Sequence, residues 1–148
     1  MTDAMIKKGA STAECPKPEN PAFVIPKPLS DSKVAIVTSA SLHHEDDDDF
    51  APSDTGYRVL EKDRRDFVVG HWSPNFDASG VSADLNVVFP IDRLQELENQ
   101  GVIGAVSEVH IAVAGNQFDL SGIRLDGGPS AAALLNKHEV DVVLLTPV

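Results

Sequence analysis

The run Val140, Val142, Val143, Leu144, Leu145 in HEVDVVLLTPV constrains this chain more than any other stretch. It is β-branched and leucine-rich, so it reads as a strand covered on both faces. Such a strand sits inside a parallel sheet with helices above and below it. The preceding segments agree. EVHIAVAG is a strand ending in glycine, and NQFDLSGIRLDGG is a loop. PSAAALLNKH is a short helix with Pro129 in its first turn and Lys137 and His138 near its end. Strand, loop, helix, strand is a βαβ unit. It predicts an α/β fold with a mostly parallel sheet and flanking helices. A buried strand also needs neighbours on both sides, so residues 31–148 are expected to be the N-terminal portion of a larger domain.

Upstream, KVAIVT (Lys33 to Thr38) is a second buried strand, and YRVL and DFVVG are shorter ones. SASLHHEDDDDFAPSDTG and HWSPNFDASGVSAD read as long loops, and loops of that length inside a domain are often functional. The clearest helix is PIDRLQELENQG. Ile91, Leu94 and Leu97 recur at helical spacing, Pro90 suits the first turn and Gly101 the position past the end. Residues 1–30 read as a proline-rich extended arm, because Pro16, Pro18, Pro21, Pro26 and Pro28 favour extended backbone. AFVI within it is apolar enough to dock on a surface.

The formal charge of -11 excludes phosphate-backbone binding, which needs clustered Lys and Arg, so no nucleic-acid partner is expected. No stretch reaches the roughly 20 apolar residues of a membrane span, and the N-terminus lacks a signal-peptide core. Cys15 is the single cysteine, so no internal disulfide and no thiolate zinc site are expected, and a reducing cytoplasm is the default location. Its setting offers nothing to lower a thiol pKa.

Several constellations carry chemistry. HHEDDDD (His43 to Asp49) invites a metal reading, but adjacent residues converge poorly on one ion and the calcium-loop spacing is absent. A run of four aspartates is normally a solvated loop. His43 follows closely on the carboxyl end of KVAIVT, where functional groups of α/β sheets gather. His71 and Trp72 follow DFVV; a histidine there is either a core-edge residue or a titratable pocket wall. Arg58 could hold a carboxylate, although a surface ion pair is the commoner fate of such a residue. Gly127 and Gly128 before the last helix could hold an anion on backbone N–H groups, with plain turn chemistry the alternative. No nucleophile, acid and base set can be assembled within the chain.

KVAIVTSASLHH, GYRVL, a histidine after a short strand, NVVFPIDRLQELENQGVIG and the closing VDVVLLTPV together resemble the selenoprotein B family over about residues 20–148. These are subunits of glycine, sarcosine and betaine reductases and of D-proline reductase. The resemblance implies an oxidoreductase that reductively cleaves a C–N bond of an amino acid or amine. It implies a selenocysteine, or a cysteine, immediately after Val148 as the nucleophile, and none within this chain. It also implies a pyruvoyl group on a partner subunit and a dithiol, thioredoxin-like reductant. The residues at matching motif positions are His43, Tyr57, Arg58, His71 and Asp77, with Thr146 beside the expected nucleophile; these are the expected substrate-binding residues. No metal site is expected. Two other readings stand beside this one: a non-catalytic binding or assembly subunit, and a metal-dependent enzyme using His43, His44 and the aspartate run. If the resemblance extends past Val148, an in-frame UGA follows its codon and a cysteine-containing frame resumes. The gene sequence checks this directly, and UAA or UAG there contradicts it.

Overall fold

The computed structural model describes residues 3–12, 23–73, 76–115, 117 and 119–148. The protein is built around β1 (Lys33–Thr38). This strand is buried on both faces: Val34 and Ile36 enter one apolar cluster, Ala35 and Val37 another. It is also paired on both edges. Along one edge runs β7 (Val142–Thr146), parallel, in register from Val34↔Val142 to Thr38↔Thr146. Two shorter parallel segments share the other edge. β5 (Ala105–Val106) pairs with Lys33 and Val34, and β6 (Val109–Val113) pairs with Val37 and Thr38. Between them the ladder is interrupted, and the N–H of Ile36 donates instead to Nδ1 of His110, at 2.9 Å.

β3 (Tyr57–Glu61) completes this five-stranded sheet antiparallel to β6, so the sheet is mixed but mostly parallel. The α/β class expected from the terminal βαβ pattern is the one observed. β2 (Leu42–His44) and β4 (Phe67–Val69) form a separate antiparallel ribbon. DFVV is therefore a strand, but not of the main sheet. β2 also lies within a stretch read from sequence as loop: its three residues are too short a run to register as a period, and all three are buried.

Helices cover both faces. α2 (Ala78–Ala83) and α3 (Ile91–Asn99) lie with the cluster of Val34 and Ile36; α4 (Gly128–Lys137) places Ala131 and Leu135 with Ala35 and Ile111. In α3 Ile91 and Leu94 are buried and Leu97 packs against the same cluster. Gly101 takes φ +69°, so the N–H of Val102 reaches the carbonyl of Leu97 and that of Gly101 the carbonyl of Glu98. This closes the helix in the αL geometry that glycine adopts most readily. Asn86 accepts from the N–H of Asp92 and returns an amide hydrogen bond to its carboxylate, satisfying a free donor of the first turn.

Further sequence expectations are corrected. The run expected as a strand covered on both faces forms β7, but among the described residues it pairs only with β1, and Val143, Leu144 and Leu145 are exposed. The presumed loop over residues 71–84 contains α2, capped by Asp77. The presumed loop before α4 contains a π-helical turn, Ile123–Gly127, running directly into α4 with helical backbone at Gly127 and Gly128. These glycines are thus inside a continuous helical path, and their N–H groups do not open a helix N-terminus toward an anion. The arm is not uniformly extended: α1 (Asp3–Thr12) is helical, and no proline precedes Pro16 to prevent it. Phe23, Val24 and Ile25 of AFVI are exposed rather than docked. Cys15, Pro16, Pro18 and Pro21 lie outside the described residues.

Two predictions follow from this packing. Leu94→Ala removes a side chain only 5% exposed and should destabilise the protein by about 2–5 kcal/mol in urea unfolding; near-zero loss would mean the helix does not hold the sheet. Burial, reinforced by the Lys62 charge, pushes the pKa of His110 down from 6.5 to about 4. The unfolded chain therefore binds this proton between those two pH values while the folded chain does not. Stability present above pH 6.5 is lost as pH falls toward 4, by roughly 3 kcal/mol. His110→Asn keeps an acceptor for Ile36 and should have a shallower acid slope; equal slopes would contradict the assignment.

Candidate functional site at the carboxyl edge of the sheet

The parallel strands run in the spatial order β6, β1, β7. The chain leaves β1, crosses one face with α3 and enters β6 on one side. It then crosses the opposite face with α4 and enters β7 on the other side. The connections therefore diverge between β1 and β7. Ligands of open α/β sheets bind in the crevice that such a divergence opens beyond the carboxyl ends of the strands.

Small hydroxyl residues build this edge. Ser39 N–H donates to the Thr146 carbonyl, and Ser39 Oγ accepts the N–H of Val148 at 3.0 Å. Thr38 Oγ1 accepts from the N–H of Ala40. Ser41 is fully buried with φ +53°, a left-handed conformation uncommon outside glycine and asparagine. Three strand ends converge on it: its N–H donates to Val113, its carbonyl accepts from Gly70 and its Oγ accepts from Gly115. Ser41 thereby ties the ends of β1, β6 and β4 together, and strain at such a hub is characteristic of functional sites.

His71 follows β4 and stands on the same edge. A Cβ on Gly115 would lie closer than 3.0 Å to both His71 Nε2 and the Ser39 carbonyl oxygen, so only glycine lets the ring approach here. The ring stacks on Phe76 with centroids 4.3 Å apart, and its Nδ1 accepts from the N–H of Ser73. Burial holds its pKa below the usual histidine value. Among the described residues, the buried Nε2 has no hydrogen-bond partner, a condition shared with Nε2 of His43 and His110.

Of the other sequence candidates, Thr146 lies on this edge, its carbonyl accepting from Ser39, and the His43 ring lies beside Gly70; the rest are dispersed. His43 is buried; its Nδ1 donates to the His44 carbonyl and its Nε2 lies 3.4 Å from Asp49. His44 bonds Asp66 through Nδ1 and accepts the N–H of Glu61 at Nε2, so both nitrogens serve the fold. Arg58 donates to the carbonyls of Asp48 and Asp49 and to the Asp54 carboxylate, and stands over the Phe50 ring. It fastens the acidic loop. Asp46 pairs with Arg64, and Asp47 accepts from the N–H of His44, so the aspartate run is tied down rather than freely solvated. Tyr57 lies on the α4 face, its hydroxyl 3.3 Å from Ser130 Oγ. Asp77 accepts from Ser79 as the cap of α2, and that bond lowers its pKa. Thr146 Oγ1 donates to the Val88 carbonyl. Among the described residues, no three His, Cys, Asp or Glu side chains group as metal ligands. Among the described residues, no helix is long and apolar enough to cross a membrane.

Sequence reasoning missed Ser39, Ser41, Gly70 and Gly115. The available signal was the TSAS run directly after KVAIVT and the glycines ending two strand segments.

The chain is 34% identical over 152 residues to the D-proline reductase subunit gamma of Acetoanaerobium sticklandii, covering 99% of this chain and 62% of that protein. It is 30% identical to the glycine reductase complex component B subunit gamma of Symbiobacterium thermophilum, covering 87% of this chain and 30% of that protein. It is 31% identical to the sarcosine reductase complex component B subunit beta of Peptoclostridium acidaminophilum, with the same two coverages. The chain thus spans from under a third to about three fifths of the length of these relatives. No solved structure matches it. The profile of glycine/sarcosine/betaine reductase selenoprotein B matches residues 12–148, and with nearly the whole described α/β core inside that match, the chain belongs to this family.

Proposed function

We propose that this chain is the sheet-bearing part of a reductase subunit that removes an amine from an amino acid or related small amine by reductive C–N cleavage. The family match over residues 12–148 carries this reading. The relatives are named as subunits of D-proline, glycine and sarcosine reductases, two of them as complex components, so partner subunits belong to the proposal. A selenocysteine or cysteine after Val148 would attack the carbon next to nitrogen, forming a C–Se or C–S bond as the C–N pair leaves on the protonated nitrogen; a thiol attacking that selenium or sulfur would release the carbon as C–H, and a dithiol would reduce the resulting selenide–sulfide or disulfide. A pyruvoyl group on a partner would hold the substrate nitrogen.

The residues of this chain have narrower tasks. Ser39 holds the backbone of Val148 at the crevice between β1 and β7. Ser41 fixes the strand ends around it. His71 faces the same edge across Gly115. His43, Arg58 and Asp77 shape the surrounding loops, and Thr146 anchors the end of β7 through Val88.

The test is dithiol-dependent turnover of glycine, sarcosine, betaine and D-proline. The gene product extended past Val148 and combined with its partner subunits should turn over one of the four, while residues 1–148 alone should turn over none. No turnover of any of the four by the complete assembly, or full activity of the 148-residue chain, would refute the proposal.

A further inference from the structure

We propose that a second site on the carboxyl edge binds a small organic ammonium ion, in the cavity of about 370 Å³ between the start of β3 and the π-helical turn before α4. It goes beyond the reductase reading and lies apart from the β1–β7 crevice, because β6 and β1 separate β3 from β7 in the sheet.

Close backbone packing fixes the walls. Tyr57 opens β3 opposite Val113, the last residue of β6, and so stands at the carboxyl end of that parallel strand. Just before it, Asp54 accepts the N–H of Gly56 and is held by Arg58. Thr55 is thereby set against the helix, where Gly122 precedes the π-helical turn and Gly127 ends it. A Cβ on Gly127 would lie closer than 3.0 Å to the Thr55 carbonyl oxygen, and one on Gly122 equally close to the Thr55 side chain. Only glycine at both positions lets the two segments meet. π-Helical turns are rare and frequently mark functional sites. Here the turn and the start of α4 bring Asp126 and Ser130 to the cavity, and Ser130 Oγ lies 3.3 Å from the Tyr57 hydroxyl. Asp126 and Ser130 are exposed, so the cavity opens to solvent.

The lining selects the ligand. Thr55, Gly56, Tyr57, Asp126, Gly127 and Ser130 supply three hydroxyls and one carboxylate, with no Lys, Arg or His among them. Whichever of Tyr57 and Ser130 donates to the other, both oxygens keep lone pairs for an incoming N–H. The helical path through Gly127 and Gly128 is continuous, so no row of free N–H groups is offered to an anion. A calcium ion, which takes six or more oxygens, would find a single carboxylate. The volume is that of a small-molecule site rather than a bare ion. Most of the lined surface is carbon, which suits a short alkyl chain carrying the ammonium.

The test is ligand-observed NMR on the purified gene product, with propylammonium, 1-propanol and butyrate as probes and potassium as competitor. Propylammonium should bind saturably, with a dissociation constant on the order of 1 mM; 1-propanol and butyrate should not saturate in that range. Asp126→Asn should weaken propylammonium binding about tenfold, and Tyr57→Phe about threefold. Asp63→Asn, at an exposed carboxylate outside the cavity, should leave it unchanged, which separates the site from attraction to the net charge of -11. No saturable binding of propylammonium, equal binding of 1-propanol or butyrate, full displacement by equimolar potassium, or the same loss in Asp63→Asn as in Asp126→Asn would overturn the inference. None of these outcomes bears on turnover by the complete assembly, so this inference and the reductase reading fail separately.

Discussion

The N–H of Ile36, at the centre of the sheet, bonds a histidine ring where a strand carbonyl would ordinarily be. That single substitution lets one edge of β1 be shared by β5 and β6, because the His110 ring spans the interval in which neither offers a carbonyl. The buried N–H is satisfied, so the break in the ladder does not leave an unpaired donor at the core. The ring is itself packed edge-on against Phe89, which in turn meets Phe67 of the β2–β4 ribbon. The centre of the sheet, the ribbon and the α3 face are thereby parts of one packed unit.

From this centre the carboxyl edge is positioned. β1 continues into Ser39, Ala40 and Ser41, and the turn at Ser41 directs the chain off the sheet into the ribbon. Residues with longer side chains would obstruct the convergence of β6, β4 and β7 there. Serines, with an oxygen on a short stem, accept the backbone N–H groups of Gly115 and Val148. The edge is thus made mostly of backbone and hydroxyl groups, with His71 as its one imidazole facing Gly115.

The acidic character of the chain has a local use as well as a global one. Arg58 gathers several oxygens of the loop after β2, while Arg64 bridges Asp46 of that loop to Asp66 before β4 and holds the Asp66 carboxyl well below the usual carboxylate range. These exposed pairs contribute little stability individually. Their effect is conformational: they fix a loop whose own charges repel, and keep it over Phe50 and His43.

How much of this was legible beforehand depends on what each feature requires. β1, α3 and α4 were readable because each carries a run of apolar residues at one period; β7 was readable as a strand, but not its surroundings, since among the described residues it pairs only with β1 and Val143, Leu144 and Leu145 are exposed. Family membership was readable for a related reason, since blocks such as FPIDRLQELENQGVIG preserve order and spacing along the chain. The β2–β4 ribbon, α2 and the π-helical turn were not readable, because short elements take their stability from tertiary neighbours rather than from periodicity. The candidate site divides in the same way. His71 and Thr146 could be nominated from their positions after strands, but Arg58, Asp77 and His44 proved to be bound to the fold by partners distant in sequence. Ser39, Ser41 and Gly115 emerged only in three dimensions. Their importance lies in which strand ends meet, and the sequence determined the strands while the closing of the sheet alone decided their neighbours.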